Sequence, residues 1–460
     1  MPEAADLSIL IARHVAEARF DRLSPAAVEG ARKTILDTIG VCLAASGQEP
    51  AVRGVVGFVQ ESGGREESTI LGFGGRVPAM MAALANGAMA HGLDYDDQTP
   101  WGQHAASSLV PAVLAVAERH GGITGRDLLT AVAVGQDLFN RMRVSFDWQK
   151  NWNFSTVAGV FSATAGVASV LKLPAEAIAN ALGIASMQCA GTAEVLNATG
   201  SDLRALYAGF PAKGAVLAAS LAQRGIKGVP TVFDGQFGIS NMYFGGRYDR
   251  DRLLDGLGER FDGGLTLYKR WPCVGTAHSH IHAAIEIVKA NDLAPDDIAE
   301  IRVHVGDYHQ LMCDPIATRR LPRTLVDAKF SLPYLVAVAV VRRDLRLGDL
   351  TEEALRDGEI MAAARKVVPV PDATLDWKLE LPPGRVELLT VDGRRFERVG
   401  TQVPGNPDNP MTWTDVGRKF ADCARSAATP LTEDRIDRAI NLAVELDRLP
   451  DATELVRAVS

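Results

Sequence analysis

The chain has 460 residues, 47% apolar and 23% charged, and its 56 Asp and Glu outnumber 48 Lys and Arg for a formal net charge of -8. That length and balance fit a globular chain of two or three domains, and the acidic sign argues against a general nucleic-acid binder, which would carry a basic patch or stripe. Apolar runs such as Tyr334 to Val341 fall far short of the ~20 residues that span a bilayer, and five scattered cysteines with no Cys-x-x-Cys suit a reduced, cytoplasmic setting.

The N-terminus carries acids from Glu3 onward and no cleavable signal pattern. Ser24-Pro25 reads as an N-cap with proline at the first helical position, opening a long helix. "PAMMAALANGAMAHG" predicts a helix ending at His91, with Gly92 at the C-cap position and the helix dipole favouring a charged His91. Asp94 to His104 is then a helix–helix connection, broken by Pro100 and Gly102, that can fold Asp94 back toward His104. The next helix begins near Ser107-Ser108, and Thr124 with Asp127 forms a capping box for another. "STVAGVFSATAGVASVLKL" and "PAEAIANALGIASMQCAGTA" are small-residue helices suited to close packing. In "SDLRALYAGFPAKGAV", Arg204, Tyr207 and Lys213 recur at helical spacing among small residues, which suggests an anion pocket, with Lys213 snorkelling to solvent.

Near residue 265 the texture changes. "YKRWPCVGTAHSHIHAAIE" places Lys269 and Arg270 before a rigid Trp271-Pro272, and the following helix puts His278 and His282 on one face with His280 turned away. Residues 297–308 and 385–399 alternate as half-buried strands, the latter around an Asp392-Gly393 hairpin turn. Helical patterns lie between them and return after Gly400. The expected fold is mainly α: a large discontinuous helical domain (1–265 and 401–460) with a smaller α+β lid domain (266–400) inserted.

The densest chemistry is "HGLDYDDQTPWGQH", three carboxylates between His91 and His104. Counted from Asp94 as a calcium loop, the sixth residue is Thr99 and the twelfth Ala105, so the Gly and Glu of an EF-hand are missing. Zinc would need three or four ligands at characteristic spacings. Three readings stay open from the residues alone: a proton-transfer site, a metal-dependent hydrolase using Asp94, Asp96 and His104, or acids capping helix ends in water.

At these residues the sequence resembles the MmgE/PrpD family, whose members include 2-methylcitrate dehydratases, cis-aconitate decarboxylases and iminodisuccinate epimerases. The resemblance rests on "LDTIGVCLAAS", "NGAMAHGLDYDD" followed by His104, "AGFPAKGAV", "YKRWPC" followed by His278, "DAKFSLPY" and "VPGNPDNPMTWTDVGRKF", in that order. It implies a cofactor-free, metal-free homodimer with its active site between a helical and an α+β domain. Asp94 and His104 fall on the family's Asp…His pair, Lys269 on the lysine of its lid motif and His278 on the histidine opening the next helix. Arg204 stands where many members have lysine, and Tyr207 where many have histidine. Gln98 replaces a common threonine and Asn153 a common histidine, while Val274 and Gln310 lie where the decarboxylases have histidine and tyrosine, with Tyr308 and His309 close by. These departures argue against cis-aconitate decarboxylation.

The resemblance therefore implies Asp94, His104, Lys269 and Tyr207 as catalytic groups, and Arg204, Arg270, Asn153, His278, Gln98 and Gln310 as substrate-binding ones. The expected reaction is abstraction of a proton alpha to a carboxylate of a small di- or tricarboxylate, foremost the dehydration of a 2-methylcitrate-like hydroxy acid. The alternatives are an epimerase of an iminodisuccinate-like diacid and a carboxylate-binding protein that has lost catalysis.

Overall fold

Small side chains let the helices of the first half bury themselves on every side. In Phe154–Val170 every residue except Ser169 is buried, with Gly125–Ser145, Ala106–His120 and Gly209–Ala222 packed around it. A Cβ at Gly87 would lie 2.8 Å from the Cα of Gly209, so Ala79–Gly92 and Gly209–Ala222 meet backbone to backbone, a contact that any side chain at either position would break. The caps read from sequence hold: Ser24 accepts from the Ala27 N–H ahead of Pro25, and both halves of the Thr124–Asp127 capping box form. Pro25–Gln48 packs against Ala79–Gly92 on one side and against Trp413–Arg425, from the far end of the chain, on another.

The computed structural model describes residues 5–197 and 200–460, and it is mainly helical with a smaller α+β part. Its buried apolar side chains form two clusters. One runs from Leu7 to Tyr268, with Leu347, and resumes from Met411 to Val459. The other runs from Trp271 to Val403, joined by Ala205. The second is built on a four-stranded sheet in the order Val367–Pro371, Ile298–Val305, Gly384–Thr390, Arg395–Gly400. Ile298–Val305 pairs in parallel with Val367–Pro371 and antiparallel with Gly384–Thr390. The hairpin Gly384–Thr390/Arg395–Gly400 turns through Asp392-Gly393, where Gly393 takes a φ of 88°. Helices His278–Ala290 and Leu332–Arg342 pack on the sheet and on each other. Among the described residues no helix is long and apolar enough to cross a membrane, and all five cysteines are buried and free.

Buried polar contacts pin the two clusters together. Lys329 Nζ lies 2.6 Å from Glu49 Oε2, both side chains almost wholly buried, and donates to the Gly92 carbonyl at 2.6 Å. Just before the second cluster begins, Leu267 exchanges two main-chain hydrogen bonds of 2.8 Å each with Gln98. The C-cap expected at Gly92 falls one residue later, at Leu93. Gly92 is the last residue of its helix, not a left-handed cap. A Cβ there would come within 3.1 Å of the Ala45 Cβ, so glycine serves close helix packing, and the left-handed turn falls two residues later, on Asp94 (φ 48°).

Candidate active site

The helix Ala79–Gly92 delivers His91 at its last turn. The turn at Asp94 then sends the chain back, so that Asp94, Asp96 and a second histidine converge on the first. Asp96 sits between the two rings: both its oxygens lie 3.0–3.1 Å from His91 Nδ1, and one lies 3.2 Å from His104 Nδ1. His104 Nδ1 is also 2.6 Å from the Asp97 carbonyl oxygen. Both neighbours accept, so Nδ1 carries the proton in the neutral ring, and Nε2 is left as a base. That Nε2 is 3.9 Å from Asp94 Oδ1. The loop is braced from outside as well: Asp97 Oδ1 accepts from the Ala106 N–H at 3.2 Å, and the His104 N–H donates to Ser155 Oγ at 3.1 Å.

The electrostatics follow from burial and neighbours. Burial alone would lower His104, but the Asp96 carboxylate overrides it and the net shift is upward. Burial wins at His91, whose pKa is lowered. The dipole-favoured charged His91 of the sequence reading is thus corrected: desolvation outweighs the helix end. Burial pushes Asp94 up, yet the Lys269 ammonium in contact with it brings it down to about 2. Burial with Asp96 alongside pushes the Asp97 carboxyl up to about 7, and burial with Asp96 and Asp94 nearby holds Tyr207 well above the usual phenol range.

His91, Asp94, Gln98, His104, Asn153, Arg204 and Tyr207 line one cavity of ≈ 50 Å³, together with Tyr308, Trp148 and Trp377. At about 10–15 Å³ per water by this measure, it holds only a few water molecules. Several buried polar atoms facing this region have no partner among the described residues: Asn153 Nδ2, Gln98 Oε1 and Arg204 Nε. Unpaired groups of this kind are rare in folded proteins, and three beside one cavity suit a polar ligand. Asn153 also caps the central helix, its Oδ1 accepting from the Ser155 N–H at 3.1 Å. Arg204 lies with its guanidinium carbon 3.3 Å from the centre of the Phe330 ring and donates to the Leu196 carbonyl.

Six of the residues expected at the site therefore meet at the cavity: Asp94, His104, Tyr207, Arg204, Asn153 and Gln98. Lys269 is reached through Asp94. It is completely buried, donating to the Asp94 carboxylate and, at 2.8 Å, to the Asp94 carbonyl, so it holds Asp94 and not a ligand. Three others are displaced. Lys269 and Arg270 are consecutive, and successive residues of extended chain point to opposite sides; Arg270 turns outward, 40% exposed and 3.7 Å from Asp344. His278 is packed edge-on against Trp271, ring centroids 5.2 Å apart, behind the cavity wall. Burial and the nearby Lys269 lower its pKa to about 3, leaving a neutral ring. Gln310 belongs to the short helix Asp307–Leu311 and turns outward to Asp314, 2.7 Å away. Its neighbour Tyr308 takes the place at the cavity. His91, Tyr308, Trp148 and Trp377 are among the wall residues that the sequence does not assign to the site. The only hint for Tyr308 was its closeness to Gln310.

Models of the MmgE/PrpD N-terminal domain and C-terminal domain match residues 10–251 and 271–446. The chain belongs to the MmgE/PrpD family. It is 25% identical over 416 residues to a cis-aconitate decarboxylase of Aspergillus terreus, covering 85% of this chain and 83% of that protein. It is 24% identical over 405 residues to the human cis-aconitate decarboxylase, covering 83% and 79%. It is 23% identical over 425 residues to a mitochondrial 2-methylcitrate dehydratase of Yarrowia lipolytica, covering 86% and 78%. Those relatives are lyases by name. The two matches reach into both apolar clusters and include every residue lining the cavity. His91, Asp94, Asp96 and His104 also place four ligand atoms within 4.8 Å of one another, a set able to hold a divalent cation. Here the Lys269 ammonium already supplies positive charge to that spot, touching Asp94 and lying 3.9 Å from Asp96.

Proposed function

We propose that this MmgE/PrpD chain is a lyase that takes the proton alpha to a carboxylate of a small di- or tricarboxylate and releases water, as in dehydration of a 2-methylcitrate-like hydroxy acid. The observation that carries this reading is the tautomer lock on His104. One ring nitrogen is tied to the Asp97 carbonyl at 2.6 Å, and the other is free in a cavity whose unpaired donors suit a carboxylate.

In the reaction, His104 Nε2 accepts the carbon-bound proton; the resulting imidazolium is flanked by Asp96 at 3.2 Å and Asp94 at 3.9 Å. Such positioned proton transfer contributes roughly 10²–10⁴-fold. Negative charge gathers on the substrate carboxylate, and Arg204 and Asn153 Nδ2 are the donors that meet it, a role for which preorganised donors are worth about 3–4 kcal/mol each. The carbon–oxygen bond to the hydroxyl breaks, and that oxygen leaves as water after taking a proton from a phenol. Tyr207 and Tyr308 stay protonated at neutral pH because burial raises both. The names of the relatives support a lyase. Tyr308 at the cavity returns an acid whose absence the sequence reading had counted against decarboxylation.

Proton NMR in D₂O with 2-methylcitrate, citrate, cis-aconitate and iminodisuccinate tests the reading. Alkene formation with loss of water from a hydroxy acid is expected. Loss of CO₂ from cis-aconitate would replace dehydration with decarboxylation, and deuterium wash-in without loss of water would replace it with epimerisation. Binding without turnover, unaltered in His104→Ala, would point to a carboxylate binder. A homodimer belongs to the same proposal. Met187, Phe210, Val229, Phe237 and Met242 are exposed within one stretch of chain, Phe237 at 87% and Met187 at 81%, and exposed apolar surface of this kind suits a second copy. Light scattering at micromolar concentration checks it.

A further inference from the structure

Arg143, near the end of the helix Gly125–Ser145, is only 3% exposed, and no acid pairs with it among the described residues. Its Nε donates to the Trp101 carbonyl at 3.2 Å and to Gln103 Oε1 at 2.5 Å. Its guanidinium carbon lies 5.3 Å from the Trp148 ring and 5.7 Å from the Phe154 ring. The terminal nitrogens, Nη1 and Nη2, make no hydrogen bond to any described residue. Burying a guanidinium without a counter-charge is expensive, and burial, with no opposing acid, brings its pKa down to about 10.

Arg143 lines a cleft of ≈ 670 Å³. The other charges there are largely accounted for. Arg247 is bound to Asp147 at 2.7 Å and Arg250 to Asp234 at 2.5 Å, while Asp249 accepts from the Arg252 N–H at 2.9 Å. Asp251 and Lys378 are on the exposed rim. Trp148 lines both the cleft and the reaction cavity. Gln103, held by Arg143, lines the cavity and precedes His104. The cavity, at ≈ 50 Å³, has room for a few waters, so the wider cleft beside Trp148 offers the space into which a longer acid could extend.

We infer that Arg143 is a specificity-determining residue: it binds the far carboxylate of the substrate in a second anion subsite beside Trp148, so that the protein prefers acids with a third carboxylate over short diacids. This deepens the proposed function, since it supposes that the reaction cavity takes a carboxylic acid. The competing view is that Arg143 only clamps the Trp101–Gln103 turn, a role that would not distinguish one acid from another.

Calorimetry with tricarballylate and succinate, two unreactive probes, separates the views on the intact protein. Wild type is expected to bind tricarballylate at least tenfold more tightly than succinate. Arg143→Gln should remove roughly ten- to a hundredfold of tricarballylate affinity, the range for a lost hydrogen bond to a charged group, and leave succinate within about twofold. Arg143→Lys should recover part of the preference. Should the variants fail to fold, phenylglyoxal labelling of wild type replaces them. Tricarballylate should slow modification of Arg143, with Arg141, its nitrogens all bonded within the protein, as the unreactive internal control. An unchanged preference in a folded Arg143→Gln, no protection of Arg143, or no binding of tricarballylate by wild type would each overturn the inference. The proposed reaction fails separately: absence of turnover leaves an Arg143-dependent preference intact, and turnover without that preference sinks only the subsite.

Discussion

Replacing Lys269 by methionine tests whether the buried ion pair serves stability, chemistry or both. The substitution keeps the unbranched stem and removes the ammonium, which has no exposure and contacts only Asp94 closely. At about 3 Å and an effective dielectric of about 20 the attraction lost is roughly 5 kcal/mol. Breaking a buried pair from one side is independently worth about 3–5 kcal/mol, because the other charge stays behind unpaired. Lys269→Met should therefore lower the stability of the first unfolding transition by about 3–5 kcal/mol, measured by guanidinium denaturation with circular dichroism. Asp94, freed of the cation that holds it at about 2, should titrate upward, since burial is the remaining large influence. The double variant Lys269→Met/Asp94→Asn removes both charges and should return to within about 1–2 kcal/mol of wild type, the residue being the hydrogen bond to the Asp94 carbonyl. Turnover should stay lost in the double variant while stability recovers. A single variant costing less than about 1 kcal/mol, or a double variant no more stable than the single one, would refute the reasoning.

His104→Ala should lower kcat by about 10²–10⁴-fold and also lower the melting temperature, because the buried Asp96 and the Asp97 carbonyl lose their partner. Tyr308→Phe should lower kcat more than about tenfold and Gln310→Ala should leave kcat unchanged, the order opposite to that expected from sequence; steady-state kinetics decides. Asp97 binds its proton more tightly folded, at about 7, than unfolded, at about 3.9. The folded state therefore holds the extra proton between those values, and the stability contribution is lost as pH rises through that window. Asp97→Asn should accordingly stabilise the protein at pH 8 relative to wild type, with the gain fading toward pH 4; melts across that range would show it. Dialysis against EDTA should leave turnover intact, and loss restored by stoichiometric metal would favour the ion-binding reading of His91, Asp94, Asp96 and His104.

Periodicity and caps made the helices legible, because a 3.6-residue repeat and a Ser-Pro or Thr-x-x-Asp start are local signals. The Asp392-Gly393 hairpin was equally local. The strand Val367–Pro371 carries no alternating pattern and two prolines, which the fold tolerates at the sheet edge. Asp94 and His104 could be paired from one loop. Side-chain direction was harder. Lys269 and Arg270 looked alike until the backbone sent one inward and the other to Asp344. Gln310 and Tyr308 differ only by where a five-residue helix happens to face. His91 looked like a helix-end cation because sequence shows its position but not its burial.

The exchange of main-chain hydrogen bonds between Gln98 and Leu267 has a mechanical consequence. It ties the Asp94–His104 loop to the strand-like segment entering the α+β unit, and it uses no side chain, so substitution cannot easily loosen it. A second contact between the units, the partly exposed Lys150–Asp307 pair, 2.5 Å apart, is weaker, since such surface pairs are worth only about 0–1 kcal/mol. Lys269, bonded to both the carboxylate and the carbonyl of Asp94, is thereby kept in register with the loop that carries His104.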